Sequence, residues 1–472
     1  MRRFAALLPL LLAACSATPP GGDLAVAVVG SGPMANDLAA EASRATLVTR
    51  AAGGEIAPGL ATSWRFLDDG DDLILRLAPL RWPGTGRRPG AELVAADVAA
   101  SLRRVRVTAP SALLATGLAA RGTARAPIAR VVELLPRPAT PHLLDWLAEP
   151  ALALVDRRGR AFPGPYALTR EAGGTLRLTR RSDLPLPQAQ AASILIQPQP
   201  APAAVASFAA GKVRLVLGEG LAGLASARTA RLGRALQVEA VHGVIGLAVQ
   251  PRGVLADARL RRALLLAADG GPLADRFALA ALAPQHRLWN NLPPPTDDRG
   301  LPLAQRQALA ATLLADAGFG PQQPLMLTLL APAGAEAGQL VDELTGRLAP
   351  LGIAIRIVRA ASSGAAPRHD LALEEHVVRV PDPLAHLERW RCGRALPCSA
   401  EADRLLDEAR AAGGDLITRA AALDRAEMAL MADPAFVPLL RPVRWALVAN
   451  GVTGFRPNAL GWHPLGRITV AN

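Results

Sequence analysis

Gly54-Glu55-Ile56-Ala57-Pro58-Gly59-Leu60-Ala61-Thr62-Ser63-Trp64, followed by Asp68-Asp69-Gly70 and the largely apolar run Leu73 to Leu77, is the stretch that decides the fold of this 472-residue chain. Leu73 to Leu77, broken only by Arg76, reads as a strand, and Trp82-Pro83-Gly84 turns the chain after it. Outward from this point, α and β signals alternate. Leu24 to Val29, Leu176 to Thr179 and Ile194 to Ile196 read as strands, and Val244 to Val249 as a fully buried one. Leu301 to Ala317 has helical character and stops at Gly318 and Gly320. A strand is predicted at Leu325 to Leu330, then a helix over Gln339 to Leu348 with Leu340, Leu344 and Leu348 on one stripe, then a strand at Ile353 to Val358. Strand, helix and strand in that order predict α/β layers, and no internal repeat is present.

Composition sets the outer bounds. With 51% apolar and 19% charged residues the chain can bury a sizeable core, and its length corresponds to about three domains at roughly 150 residues each. The 52 basic against 40 acidic side chains leave a formal charge of +12. Lys212 is the only lysine, and the arginines are scattered. The densest groups, Arg103, Arg104 and Arg106 and then Arg259, Arg261 and Arg262, lack the interleaved aromatics of a base-stacking platform, so no nucleic-acid partner is expected.

The N-terminus indicates export. Arg2 and Arg3 precede the apolar stretch Phe4 to Ala14, which is too short for the roughly 20 residues that a membrane-spanning helix needs. Leu12-Ala13-Ala14-Cys15 closes it and resembles the bacterial lipobox, which implies cleavage before Cys15 and acylation of its sulfur. Pro19, Pro20, Gly21 and Gly22 read as a flexible tether. In an oxidising compartment Cys392 and Cys398 are expected to form a local disulfide.

Catalytic signatures are thin. Val213 to Leu217 reads as a strand, and Gly218, Gly220 and Gly223 spell G-x-G-x-x-G with Glu239 about twenty residues on, which matches a dinucleotide fingerprint. An exported chain meets no ready supply of such a cofactor, so a glycine-rich turn is the expectation. No G-x-S-x-G, H-E-x-x-H or P-loop occurs. His369, His376 and His386 lie near Glu374 and Glu375, but their spacing does not put three ligands on one helical face. The expectation is therefore no metal, no cofactor and no catalysis, with a metal-carrying role kept as an alternative.

The opening stretch, taken with Ala95-Ala96-Asp97-Val98 and Ser101-Leu102-Arg103-Arg104, resembles the signature of family 5 extracellular solute-binding proteins, the peptide and nickel receptors of ABC importers. The resemblance continues in order through Gly164-Pro165-Tyr166, Phe208-Ala209-Ala210-Gly211, Asp257 to Leu264 with Ala268-Asp269, and Ala315 to Phe319. Pro381-Asp382-Pro383, Asp433-Pro434 and Val437-Pro438-Leu439 complete it. It implies an α/β, two-lobe periplasmic-binding-protein-like fold of class II, family 5 type, with an additional inserted domain. The expected segments are a signal peptide at 1–14, a tether at 15–23, lobe I from 24–50, 160–240 and 446–472, an inserted domain at 51–159 and lobe II at 241–445. The implied function is capture of a small solute, peptide-like or acidic, in a hinged cleft and its delivery to an ABC permease and ATPase complex. The implied setting is a periplasmic monomer held at the membrane through the lipid on Cys15. A non-transporting lipoprotein of the same fold is an alternative, because the Asp-Pro signal usual after the family's first strand is missing between Gly30 and Asp37.

In peptide-binding relatives an acid three positions before the Asp-Pro pair receives the ligand's ammonium. Arg379 stands there in this chain, which reverses the charge and predicts a preference for an acidic or neutral solute. Asp382 is the expected N-cap of the next helix, with Pro383 at its first position. Trp390 and His376 are expected beside the cleft, and His242 near the hinge, with Trp289, Asn290 and Asn291 on a loop that could enter it.

Overall fold

The computed structural model describes residues 22–471 apart from 31, 68–71, 85–88, 120, 185–189, 231 and 360–365. The expected signal peptide, Cys15 and Asp68-Asp69-Gly70 lie outside the described residues. The strands and helices anticipated from apolar periodicity are present, with ends shifted by a few residues.

Lobe I is built on a seven-stranded mixed sheet, in the order 236–240, 443–448, 215–218, 24–29, 193–199, 176–180 and 166–170. Leu24–Val29 runs parallel to both Ser193–Gln199 and Leu215–Gly218. Its two faces feed different cores: Val26 and Val28 pack with Leu38 and Tyr166, whereas Ala27 and Val29 join the main core. Burial on both faces explains the uninterrupted apolar run. The last-made strand of this sheet, Val443–Val448, is antiparallel to both neighbours. The chain therefore returns to lobe I at Val443, three residues ahead of the expected boundary at 446.

The inserted domain carries a four-stranded antiparallel sheet in the order 61–67, 72–77, 131–135 and 123–128. The helix Ala95–Thr108 covers it, burying Val98, Leu102 and Val105. Its core starts at Ala45, Leu47 and Val48 and takes in Phe162, so packing extends it beyond the expected limits of 51 and 159.

Lobe II has a five-stranded sheet in the order 353–359, 325–331, 371–377, 243–249 and 436–440. Side-chain caps start four of its α-helices: Asp257 accepts from Arg259 N, Asp382 from Leu384 N, Ser399 from Ala402 N, and Asp415 from Ile417 N and Thr418 N. Each such cap satisfies backbone donors that have no partner inside the helix. Cys392 and Cys398 are joined as a disulfide. The main core runs from lobe I through lobe II without a break, including Ala27 and Val216 on one side and Leu247 and Leu329 on the other. The two lobes thus pack against one another through a shared core.

Two segments cross between the lobes. Val241 and His242 connect strand 236–240 to strand 243–249, and Arg441 and Pro442 connect strand 436–440 to strand 443–448. They are tied together by Val241 N donating to the Pro442 carbonyl at 3.0 Å. Gly243, at φ +143°, begins the lobe II strand where a Cβ would press on the His376 carbonyl. Few residues carry the connection, which is the anatomy of a hinge.

Candidate functional site

Arg379 sits where lobe I, the inserted domain and lobe II meet. The strand Leu371–Val377 ends just before it, and Asp382 anchors the chain just after it. Asp382 is buried and caps the helix Pro383–Leu387 by accepting from Leu384 N at 3.0 Å. It also accepts from Arg419 Nη2 at 3.0 Å and, across the domain boundary, from Trp146 Nε1 at 3.3 Å. The loop bearing Arg379 is thereby fixed, and its side chain reaches toward lobe I.

The Arg379 guanidinium lies 3.8 Å from the centre of the Trp462 ring, a cation–π geometry. Nη1 donates to Asp37 Oδ2 at 3.1 Å, and Nε is 3.1 Å from Glu149 Oε2. The Arg379 carbonyl accepts from Arg50 Nη2 at 3.2 Å. Arg50 is itself paired with Asp145 at 3.0 Å and Glu149 at 3.7 Å. On the lobe I side, Trp462 Nε1 donates to Glu41 Oε2 at 2.6 Å. Three carboxylates, Asp37, Asp145 and Glu149, thus share the Arg379 and Arg50 guanidiniums, with Glu41 close by.

Burial pushes the Glu41 carboxyl up to about 7, against the opposing pull of Arg379 and the Trp462 hydrogen bond. Burial likewise raises Glu149, in spite of Arg379 and Arg50. Asp145 is the exception: burial acts to raise it, but His142 and Arg50 outweigh that and hold it below the usual carboxylate range. Because Glu41 holds its proton more tightly in the folded chain than in the unfolded one, its contribution is complete at acid pH and fades as pH rises from about 4.5 through about 7. Wild-type stability should therefore fall across that window by at most about 3 kcal/mol relative to Glu41→Gln, whose profile lacks this step. Urea denaturation at a series of pH values measures it, and parallel profiles for the two proteins would refute it.

A second polar contact crosses the lobes farther along the sheet. Arg444 Nη1, on lobe I, donates to Glu375 Oε1 of lobe II at 2.7 Å. Gly220, at φ +62°, lets the lobe I loop settle against the same carboxylate, and Gly218 lies flat against the Trp445 indole. All three glycines of the G-x-G-x-x-G run are thus accounted for by close packing: Gly218 on Trp445 within the lobe I sheet, Gly220 against Glu375 across the lobes, and Gly223, at φ +78°, against Ala201.

The other anticipated site residues fall elsewhere. His376 and Glu374 share a strand face opposite to Glu375, and with Trp390, Arg389 and Arg394 they line a lobe II recess of about 550 Å³. Trp390 is buried against His386, His376 and Phe436. His242 lies in the hinge, stacked on Trp289 at 5.3 Å with Asn290 Oδ1 3.4 Å from its Nδ1, and burial lowers its pKa. The five residues therefore occupy three places: Arg379 and Asp382 at the junction, His376 and Trp390 in the recess, and His242 in the hinge. His386 is buried with its pKa pushed down to about 3 and Nε2 3.0 Å from the Leu288 carbonyl oxygen, so it is a neutral core group. Among the described residues, no group of three or more His, Cys, Asp or Glu is placed to hold a metal ion.

Sequence reading missed Asp37, Glu41, Asp145, Glu149, Arg50 and Trp462. A signal did exist: Asp37 with Glu41, and Asp145 with Glu149, are acids spaced i,i+4 on or beside the helices Pro33–Ser43 and Leu143–Leu147, so each pair projects from one face.

Two lobes joined by two crossing segments, with a charged junction between them, define a hinged binding protein of the extracellular solute-capturing kind. The chain belongs to the bacterial extracellular solute-binding proteins, family 5, whose model matches residues 55–395. It is similar in structure to Haemophilus influenzae OppA in complex with RPPGFSPFR, with a TM-score of 0.77 and 17% identity over 96% of this chain and 99% of that one. The murein tripeptide binding protein MppA of Escherichia coli gives a TM-score of 0.78 at 18% identity, over 96% of this chain and 99% of that one. Staphylococcus aureus NikA in complex with Ni(L-His)2 gives 0.74 at 16% identity, over 96% of this chain and all of that one. Among curated protein sequences, none matches. No described helix is long and apolar enough to cross a membrane.

Proposed function

We infer that this chain captures a small peptide-like solute between its lobes and hands it, chemically unaltered, to the permease and ATPase of an ABC importer. The observation that carries this reading is the Arg379 junction, where a lobe II side chain is held by lobe I and the inserted domain across a two-segment hinge. Such a contact exists only when the lobes are together, so a solute with differential affinity for the closed form shifts the open–closed balance by that difference. The expected preference for an acidic solute rested on an unmatched charge at Arg379. Here that guanidinium is already paired with Asp37 and Glu149, and carboxyl groups outnumber guanidiniums around it. The peptide-like half of the expectation is the one we carry forward, with the solute's amine facing the carboxylates.

Export and acylation at Cys15 belong to the same reading and would place the domain at the outer face of a membrane. Incorporation of labelled palmitate that disappears in Cys15→Ala tests the anchor. Calorimetric titration with short peptides, free and N-acetylated, tests the solute: acetylation should weaken binding by about 30-fold or more, as loss of a charge-assisted contact in a desolvated site does. Equal affinity for both forms would overturn the amine assignment. Failure of any co-purified or added solute to change the scattering profile would overturn capture itself.

A further inference from the structure

A groove of about 790 Å³ lies on the inserted domain's border with lobe I, away from the hinge. Six arginines line it: Arg103 and Arg104 from the helix Ala95–Thr108, Arg157, Arg158 and Arg160 from one turn, and Arg181 from the end of a lobe I strand. Its two carboxylates are already engaged. Asp97 accepts from Trp82 Nε1 at 3.0 Å and Val94 N at 3.1 Å. Asp156 accepts from the backbone of Arg158 and Arg160 and is ion-paired with the Arg160 side chain at 2.7 Å. Among the described residues, no carboxylate pairs with the side chains of Arg103, Arg104, Arg157 or Arg158. Arg181 is paired with Asp183 at 2.6 Å, which leaves four guanidiniums gathered at the groove without a carboxylate partner among the described residues; their mutual repulsion destabilises the free protein, and an anionic partner relieves it.

The position of the groove selects the partner. Asp23, where the tether enters the domain, accepts from Ser193 Oγ at 2.7 Å, and Ser193 pairs with Thr179, two residues before Arg181. Two strand spacings, about 10 Å, separate the start of the first strand from the strand that leads to Arg181. The eight residues from Cys15 to Gly22 reach at most about 29 Å when extended. A chain anchored by its N-terminus therefore holds this groove close to the bilayer surface.

We propose that the arginine groove docks on anionic phospholipid headgroups and orients the tethered protein on its membrane. The groove is separate from the solute junction, and its lipid binding does not depend on the solute reading. Acylation of Cys15 enters only as the reason the groove faces the bilayer.

The test uses the full chain carrying Cys15→Ser, so that no acyl group contributes, in sedimentation with vesicles of phosphatidylglycerol or of phosphatidylcholine. Binding to phosphatidylglycerol alone, weakened by salt, is expected. A triple variant with Arg103→Glu, Arg157→Glu and Arg158→Glu should bind at least about 100-fold more weakly, given the gain per basic residue near an anionic surface. Its unchanged melting curve and unchanged solute-induced scattering change would show that the fold and the solute site are intact. Equal binding to both vesicle types, or a triple variant that still binds phosphatidylglycerol, would overturn the proposal. So would displacement by inorganic phosphate beyond that given by chloride at equal ionic strength, which would mark a free-anion pocket.

Discussion

Arg379→Glu should populate the open form at the expense of the closed one. In the closed arrangement the introduced carboxylate would face Asp37, Glu149 and the buried Glu41, with Arg50, already shared between Asp145 and Glu149, left to offset them. Removing one partner of a buried ion pair costs about 3–5 kcal/mol. The Arg379 side chain is 28% exposed and Asp37 is 56% exposed, so screening reduces this. An effect of about 2–3 kcal/mol, or roughly 30- to 150-fold in the open–closed ratio, is expected after that discount. Arg379→Lys keeps the charge but loses the planar fork and most of its contact with Trp462, and should cost only about 1 kcal/mol. Small-angle scattering reports the opening as a larger radius of gyration. The charge swap Arg379→Glu with Glu149→Arg should recover much of the closed form. A profile for Arg379→Glu that superimposes on the wild type would remove Arg379 from the closure mechanism.

Glu427→Ala should be the most damaging single change to the stability of lobe II. Glu427 is fully buried on the helix Leu416–Ala432. It accepts from Arg299 Nη1 at 3.0 Å and Leu288 N at 3.1 Å, and Arg287 Nε lies 2.7 Å from its other oxygen. Asp424 stays paired with Arg287 and Asp297 with Arg299, but both guanidiniums stay buried with their shared counter-charge gone. The expected loss is about 3–5 kcal/mol, equivalent to roughly 10 °C in melting temperature for a lobe of this size. The damage reaches the hinge, because Leu288 is followed by Trp289, on which His242 stacks. Glu427→Gln keeps an acceptor for Leu288 N and should lose less. Differential scanning calorimetry decides the matter, and a shift of under about 2 °C for Glu427→Ala would refute it.

Much of the fold was legible because it rests on local rules. Leu24–Val29 is a continuous apolar run, and such runs form strands buried on both faces, whereas Leu325–Ala331 buries alternate residues. Leu340, Leu344 and Leu348 sit on one stripe and are all buried. Asp382 was readable as an N-cap because capping is a contact between near neighbours. Leu371–Val377 went unread because Glu374, Glu375 and His376 interrupt its apolar pattern, and those residues are polar for reasons of tertiary contact.

The junction around Arg379 was hidden for the same reason on a larger scale. Arg379 was singled out from its place beside Asp382-Pro383, but its partners Asp37, Glu149 and Trp462 come from other parts of the chain and carry no local mark. His376 and Trp390 lie apart from Arg379 because strand alternation turns His376 away from the lobe interface while the chain carries Arg379 past the strand end.

The placement of Val443–Val448 inside the lobe I sheet bears on biogenesis. Leu236–Ala240 hydrogen-bonds to no other strand of that sheet, and Leu215–Gly218 has one of its two edges satisfied there. While the ribosome is still making lobe II, the first lobe lacks the ribbon that stitches two of its strands together. A nascent chain of this design cannot complete the first lobe's sheet until residues 443–448 have emerged, so the two lobes mature together rather than in turn.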